Sequence, residues 1–246
     1  MFKTRVILIL FVAVSLQLTA QSKIGGSIVY KAELNKKYVD SFLVELNKEK
    51  DTPMSVKQDV ARMYRSSKPD EFILNFKYEE SYYEHVPKLE EEGGYNIGSS
   101  AGTTPYYTNN KTNSIVQMSE YLGYISHEPL DWKITSKTKN IGKYKCYQAI
   151  ATEKLYSRRG FYYTKRVIAW FAPSIPLNFG PKYYKGLPGL VLEINRDKFN
   201  ISAIKINLNP TKDLKIKRPS KKAKIKTEKE AHGIINDLEK ERKKRN

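Results

Sequence analysis

The chain has 246 residues, 40% of them hydrophobic and 28% charged, which allows a packed core and excludes wholesale disorder. A mean hydropathy of −0.59 excludes a polytopic membrane protein, which needs several apolar runs of about 20 residues. Formal charge is +18, and the single cysteine, Cys146, excludes an intramolecular disulfide framework.

The N-terminus reads as an address. Lys3 and Arg5 precede nine consecutive apolar residues, Val6 to Val14, and the stretch loosens toward Ala20. A positive start, a short apolar run and a small final residue predict a secretory signal peptide over 1–20, cleaved before Gln21. The run is too short to span a bilayer, and no cysteine near the cleavage point suggests a lipoprotein. Removing Lys3 and Arg5 lowers the formal charge of the remaining chain to +16. The expected location is periplasmic or secreted, with no transmembrane span after processing.

Most of the chain beyond Gln21 reads as short strands separated by turn residues. Ser27 to Leu34 is a strand, and Tyr38 to Leu46 is expected to continue the meander. Val56, Val60, Met63 and Tyr64 fall at helical spacing over 54–66, with Ser55 and Gln58 as a capping box. Glu71 to Tyr78 alternates as a half-buried strand, and Ser81 to Val86 extends it or pairs back. Residues 90–113, with three glutamates and many glycines, are expected as a surface loop or hairpin. Strands return at Asn113–Met118, Tyr121–Ser126, Trp132–Ser136, Tyr144–Thr152 and Phe161–Phe171, with a turn at Asn140 to Lys143. Leu190–Ile194 and Phe199–Leu208 form a hairpin. In its second strand the apolar phase slips, which predicts a bulge near Ala203-Ile204.

Residues 211–246 hold fourteen Lys or Arg against six Asp or Glu. Lys212 to Lys226 reads as an edge strand or extended arm. Thr227 to Glu230 is a capping box that opens a C-terminal helix over 227–244. The fold class expected is α+β and mainly β: a curved antiparallel sheet, able to close to a half-barrel, with two helices. The domains are a signal peptide at 1–20, one mainly-β domain at 21–210, and a basic arm and helix at 211–246 docked on it.

Ala169 to Ile194 is the most distinctive stretch. Leu187-Pro188-Gly189-Leu190 matches a type II turn, since Pro188 presets one dihedral and Gly189 permits positive φ. Gly186-Leu187-Pro188-Gly189-Leu190-Val191 resembles the motif of the GLPGLI family of exported Gram-negative bacterial proteins, departing only at the final Val. Ala169-Trp170-Phe171, Ile175-Pro176 and Gly180-Pro181 resemble the family's approach to that motif. Softer matches are Phe72 to Glu80, Leu130 to Ile134, Tyr144 to Ala149 and the C-terminal helix. The resemblance implies an envelope accessory whose partner is an outer-membrane receptor or another envelope protein. It brings no catalytic residues.

Direct chemical signals are weak. Gly98-Ser99-Ser100-Ala101-Gly102 has the letters of a nucleophile elbow but lacks the flanking strand and helix, so flexible-loop composition is the better reading. Glu79, Glu80, Glu84 and Glu90 to Glu92 read as a solvated face. His85, His127 and His232 lack metal-ligand spacing, and His232 is expected exposed. Cys146 reads as a buried core residue. Tyrosine pairs at 82-83, 106-107, 162-163 and 183-184 suggest one ring inward and one at the rim. Those near cations are also able to bind glycans, anionic lipid or nucleic acid, and export argues against the last.

The function expected is a non-enzymatic envelope protein that binds a partner protein, lipid or peptide, with no cofactor, metal or catalytic residue. Its candidate binding loop is Trp170, Pro176, Gly180, Pro181, Tyr183, Tyr184, Gly186, Leu187, Pro188 and Gly189. The concave sheet offers a second place for an acyl chain, by fold-level analogy with lipid carriers. The basic C-terminus is expected to meet an anionic glycolipid or cell-wall surface. The competing reading is a secreted hydrolase assembled only in three dimensions, which Ser100 or Cys146 beside a histidine would favour.

Overall fold

The structure, a computed structural model, describes residues 25–87, 97–157, 159–209 and 214–233. The predicted signal peptide, Glu90 to Glu92 and the helix beyond residue 233 lie outside the described residues. Strand β1 (Gly25–Leu34) is followed by helices α1 (Lys36–Lys48) and α2 (Met54–Arg65). Strands β2 (Asp70–Lys77), β3 (Glu80–Val86), β4 (Tyr106–Asn109), β5 (Ser114–Ser119) and β6 (Gly123–Ser126) come next. The chain continues through β7 (Lys133–Ile141), β8 (Tyr144–Tyr156), β9 (Tyr162–Ala172), β10 (Leu190–Arg196), β11 (Phe199–Asn207) and β12 (Ile225–Lys226).

All twelve strands join one sheet in the order β12-β6-β5-β4-β3-β2-β1-β11-β10-β9-β8-β7. The chain starts at the middle, meanders out to β6, crosses to the far edge at β7, and meanders back to pair β11 with β1. That crossing fixes the shape. Strands β6 and β7 stand ten strand-steps apart, a separation of about 48 Å in a flat sheet. The seven chain steps from Ser126 to Lys133 reach at most about 25 Å. The sheet therefore curls into an open bowl, as the mainly-β expectation required. Every pairing is antiparallel except β12 with β6, which is parallel.

The bulge predicted near Ala203-Ile204 is present. Val29 pairs with Lys205 and Tyr30 with Ala203, leaving Ile204 as the extra residue on β11. A second irregularity leaves Leu192 unpaired between β10 and β9. Bulges sharpen local twist and help bend the sheet.

The N-terminal expectations need two corrections. Tyr38 to Leu46 is helical rather than a strand. Tyr38, Val39, Phe42, Leu43 and Leu46 repeat with the helical period, and the Asn35 side chain caps the start by accepting from the Lys37 N–H at 3.1 Å. The Ser55–Gln58 capping box does not form, because α2 starts at Met54 with Pro53 as its N-cap, two residues before Ser55, and has no side-chain cap. Lys57 is instead buried and donates to the Asn47 carbonyl at 3.1 Å and to the Glu49 carbonyl. A cation on the last carbonyls of α1 is where the helix dipole favours it. Phe42 packs on Tyr64, ring centroids 4.8 Å apart, so the two helices form a pair inserted between β1 and β2.

Residues 106–109, expected within the loose 90–113 region, form β4 and pair with both β3 and β5. The C-terminal arm crosses the convex side of β3 to β5. Its Ile216 packs on Tyr82, Tyr107 and Val116, and Lys217 and Arg218 reach Glu84 and Glu80 at 2.8 and 2.7 Å. Both members of the 82-83 and 106-107 tyrosine pairs are buried as a result, one ring on each face of the sheet. The predicted capping box is present: the Glu230 N–H donates to Thr227 Oγ1 at 3.2 Å and the Thr227 N–H donates to the Glu230 carboxylate at 2.7 Å.

Candidate functional site

The concave side of the bowl is filled by the 173–189 loop between β9 and β10. Backbone bonds stitch it to the sheet: Leu190 N–H to Ile175 O at 2.9 Å, Val191 N–H to Phe179 O at 3.0 Å, and Ile175 N–H to Ala172 O at 3.1 Å. Phe179 packs on Phe76 at 5.7 Å, and the Tyr30 hydroxyl donates to Val191 O at 2.7 Å. Two glycines permit this closeness. A Cβ on Gly180 would lie 2.1 Å from Tyr184 O, and one on Gly189 would lie 2.4 Å from Ala172 O. Gly189 also has φ +152°, which disfavours any side chain.

The turn at the motif is not type II. The Gly189 N–H returns to Leu187 O at 2.8 Å, a tight turn centred on Pro188, and the Leu190 N–H goes to Ile175 instead. The need for glycine follows from the approach of β9 more than from the turn.

This burial changes the reading of the candidate binding loop. Gly180, Pro181, Tyr183, Tyr184, Leu187 and Gly189 are buried, while Pro176, Gly186 and Pro188 reach the surface. Trp170 is half-buried against the same core, with its ring covered from the Lys139 side. It lies beneath the Lys139 ammonium at 4.5 Å, beside the Lys139–Glu193 ion pair at 2.7 Å. The concave face therefore holds the chain's own loop where an acyl ligand was expected. The exposed shoulder is braced by Trp132 Nε1 donating to Lys185 O at 2.8 Å, and by Lys185 Nζ donating to Asn110 Oδ1 at 3.0 Å.

Sequence reasoning missed the polar centre beneath the loop. Glu153 on β8 is 1% exposed. It accepts from the Tyr183 hydroxyl, from the Tyr184 hydroxyl at 3.1 Å and from Arg196 Nε at 2.7 Å. Burial pushes both tyrosines well above their ordinary pKa, and the nearby Glu153 carboxylate adds to it in each case. His127, in the crossing between β6 and β7, stacks on Tyr183 at 4.6 Å and meets Glu228 at 3.3 Å. Lys182 donates to Ala101 O at 2.7 Å, and burial, with Arg196 nearby, lowers its ammonium to about 8. The one advance signal was Glu153 in phase with the inward Ala149 and Ala151. A carboxylate in that register requires donors and a counter-charge. With three donors on its oxygens, Glu153 is built to fasten the loop.

The reactive candidates are engaged elsewhere. Ser100 is exposed at φ +61°, whereas Ser99 is buried and donates to Asp70 Oδ2 at 2.6 Å. His85 faces the other oxygen of Asp70 at 3.9 Å. This places Asp70 between the serine and the histidine, while a catalytic serine needs the histidine adjacent. Cys146 is buried with its thiol raised by desolvation and directed to Tyr144 O at 3.6 Å, the opposite of an activated thiol. Glu80 and Glu84, expected as a solvated face, hold the basic arm. His232, expected exposed, is half-buried with its ring 6.3 Å from Tyr156. No group of three or more metal-ligating side chains occurs among the described residues.

A family described as a protein of unknown function (Porph_ging) matches residues 159–193, the stretch that runs through β9 and the buried loop. The matching family is not the GLPGLI family that the motif resembles. No curated protein matches the chain. A structure of PNGF-II in space group C2 superposes with a TM-score of 0.50 at 13% identity, covering 85% of this chain and 33% of that one. A structure of PNGF-II in space group P21 gives 0.45 at 15% identity, covering 77% and 29%. The chain thus spans about a third of the length of the first of these, and the likeness is one of β fold. No helix among the described residues is long and apolar enough to cross a membrane.

Proposed function

We propose that this is a non-enzymatic accessory protein of the cell envelope, exported by its N-terminal segment and akin to the GLPGLI type. The observation that carries the proposal is the filled bowl: the 173–189 loop occupies the concave face, so recognition falls to the outer surface. The engagement of Ser99 by Asp70 and the desolvated thiol of Cys146 support the same reading. An outer-membrane receptor or another envelope protein is the partner class. The exposed shoulder of Pro176, Gly186 and Pro188 is the part of the candidate binding loop able to meet it.

The test is genetic. Ser100→Ala and Cys146→Ala, expressed in place of the native chain, should each preserve the phenotype that deletion removes. Loss of that phenotype with either variant, at normal abundance and melting temperature, would favour the secreted hydrolase. Intact mass from the envelope fraction should begin at Gln21, and a retained Met1 contradicts export by cleavage.

A further inference from the structure

We infer that the tip of the β8–β9 hairpin is a membrane-interface contact that takes an anionic lipid surface. The hairpin outruns its neighbours. Strand β7 pairs with β8 only as far as Ile150, and β10 pairs with β9 only from Val167. From Thr152↔Arg166 to Tyr156↔Tyr162 the two strands pair only with each other among the described strands, so the sheet supplies no neighbouring strand on either side of the hairpin's end. Its tip is ordered. The Ser157 N–H donates to Phe161 O at 2.8 Å, and the Gly160 N–H donates to Ser157 O at 2.9 Å with Gly160 at φ +89°. The hairpin is braced along its length: the Tyr156 N–H, next to the turn, donates to Glu228 Oε2 at 3.1 Å, and Lys165, nearer the base, pairs with Asp197 at 2.6 Å.

The tip presents apolar rings to solvent. Phe161, Tyr162 and Tyr163 are 52%, 53% and 38% exposed. Cations surround them: Lys154 lies 4.4 Å over the Tyr162 ring, and Arg159 and Arg166 are exposed. Between Thr152 and Arg166 the sequence has five Lys or Arg against one acid, Glu153, which is turned inward onto Arg196. A polyanion in water would need only the cations. Three adjacent exposed rings at the end of a hairpin also call for an apolar phase, and aromatic rings interleaved with cations suit the headgroup level of an anionic bilayer. The basic arm is a poorer candidate for that contact, because Glu84 and Glu80 already neutralise its Lys217 and Arg218.

The inference does not rest on the accessory reading, since purified components test it. The chain from Gln21 onward, which contains every described residue, is mixed with vesicles of phosphatidylglycerol and phosphatidylcholine, and with vesicles of phosphatidylcholine alone. It should sediment with the anionic vesicles at least ~10-fold more strongly, and the excess should fall with salt. Lys154→Gln, Arg159→Gln and Arg166→Gln should each weaken binding about fivefold at low salt. The triple change Phe161→Ser, Tyr162→Ser, Tyr163→Ser should weaken it at least ~10-fold at unchanged melting temperature, because the rings are exposed. In a Phe161→Trp variant, emission should shift to the blue on anionic vesicles and be quenched by brominated acyl chains. No preference for anionic vesicles, or hairpin variants that bind as the parent does, overturns the inference. So does an unshifted emission with binding intact, which would leave the hairpin to a soluble polyanion, or a concentration-dependent dimer lost in the ring variant.

Discussion

Tyr183 and Tyr184 are sealed inside the bowl, while Tyr162 and Tyr163 stand in solvent at the hairpin tip. Both pairs sit beside lysines, Lys182 and Lys185 in one case and Lys165 in the other. Local sequence does not separate them; their neighbours in space do. The loop lies over a curved sheet that supplies Glu153 as acceptor and Arg196 as counter-charge, whereas the tip has outrun its neighbouring strands. A pair of tyrosines in this fold thus records how much sheet lies beneath it.

The comparison breaks first at Glu153. Glu153→Ala removes the acceptor and strands Arg196, and it should cost about 3–5 kcal/mol in chemical denaturation. Glu153→Gln keeps an acceptor oxygen and should cost less. If both variants melt like the parent, the polar centre does not hold the loop.

Gly189→Ala should follow at about 3 kcal/mol, since its Cβ would meet the Ala172 carbonyl at an unfavourable φ. Leu187→Ala, at a position 2% exposed, should cost about 2–3 kcal/mol as a core truncation. Pro188→Ala should cost less than ~1 kcal/mol. A Leu187→Ala chain with parental stability would return that residue to the surface and revive the motif as a binding loop.

Lys182 sharpens the contrast through pH. Its ammonium is lowered from the ordinary 10.5 to about 8. The unfolded chain therefore holds more protons between those values, and folding stability should rise with pH across that window. The rise should reach at most about 1 kcal/mol between pH 7.5 and 9, below the range where tyrosines ionise in the unfolded chain. Denaturant midpoints at the two pH values should separate in the parent and converge in Lys182→Met. The smallest effect belongs to the tip: Tyr162→Ser should leave stability within ~0.5 kcal/mol.

Periodicity exposes much of the sheet. Alternation over Glu71 to Tyr78 marks β2, the phase slip in Phe199 to Leu208 marks the Ile204 bulge, and Thr227 with Glu230 marks the last helix start. The Tyr38 to Leu46 segment reads as a strand on its apolar β-branched and aromatic residues, yet Asp40 and Ser41 break any alternation and leave the helical period as the better fit. The burial of 173–189 has no local signature, since it depends on sheet curvature imposed by a crossing some fifty residues earlier in the chain. Pro and Gly content in that loop looks the same whether it covers a sheet or meets a partner. Glu153 is legible only as a charge in an inward register, with Arg196 and Tyr183 supplied from distant parts of the chain.

The pairing of β1 with β11 has a kinetic side. Ser27 meets Asn207, and Leu34 meets Phe199, so the middle of the sheet joins residues from opposite ends of the described chain. Contacts of such sequence separation are entropically late and place the fold among slow formers. In a chain emerging N-terminus first, β1 to β6 are able to pair while the far side of β1 waits for β11. During that interval Ile28, Tyr30 and Ala32 sit on a strand with one open edge, the kind of surface that recruits other chains. Conditions that lengthen the wait, such as synthesis at low temperature or a destabilised β10–β11 hairpin, should therefore raise aggregation before they lower the melting temperature of the molecules that finish folding.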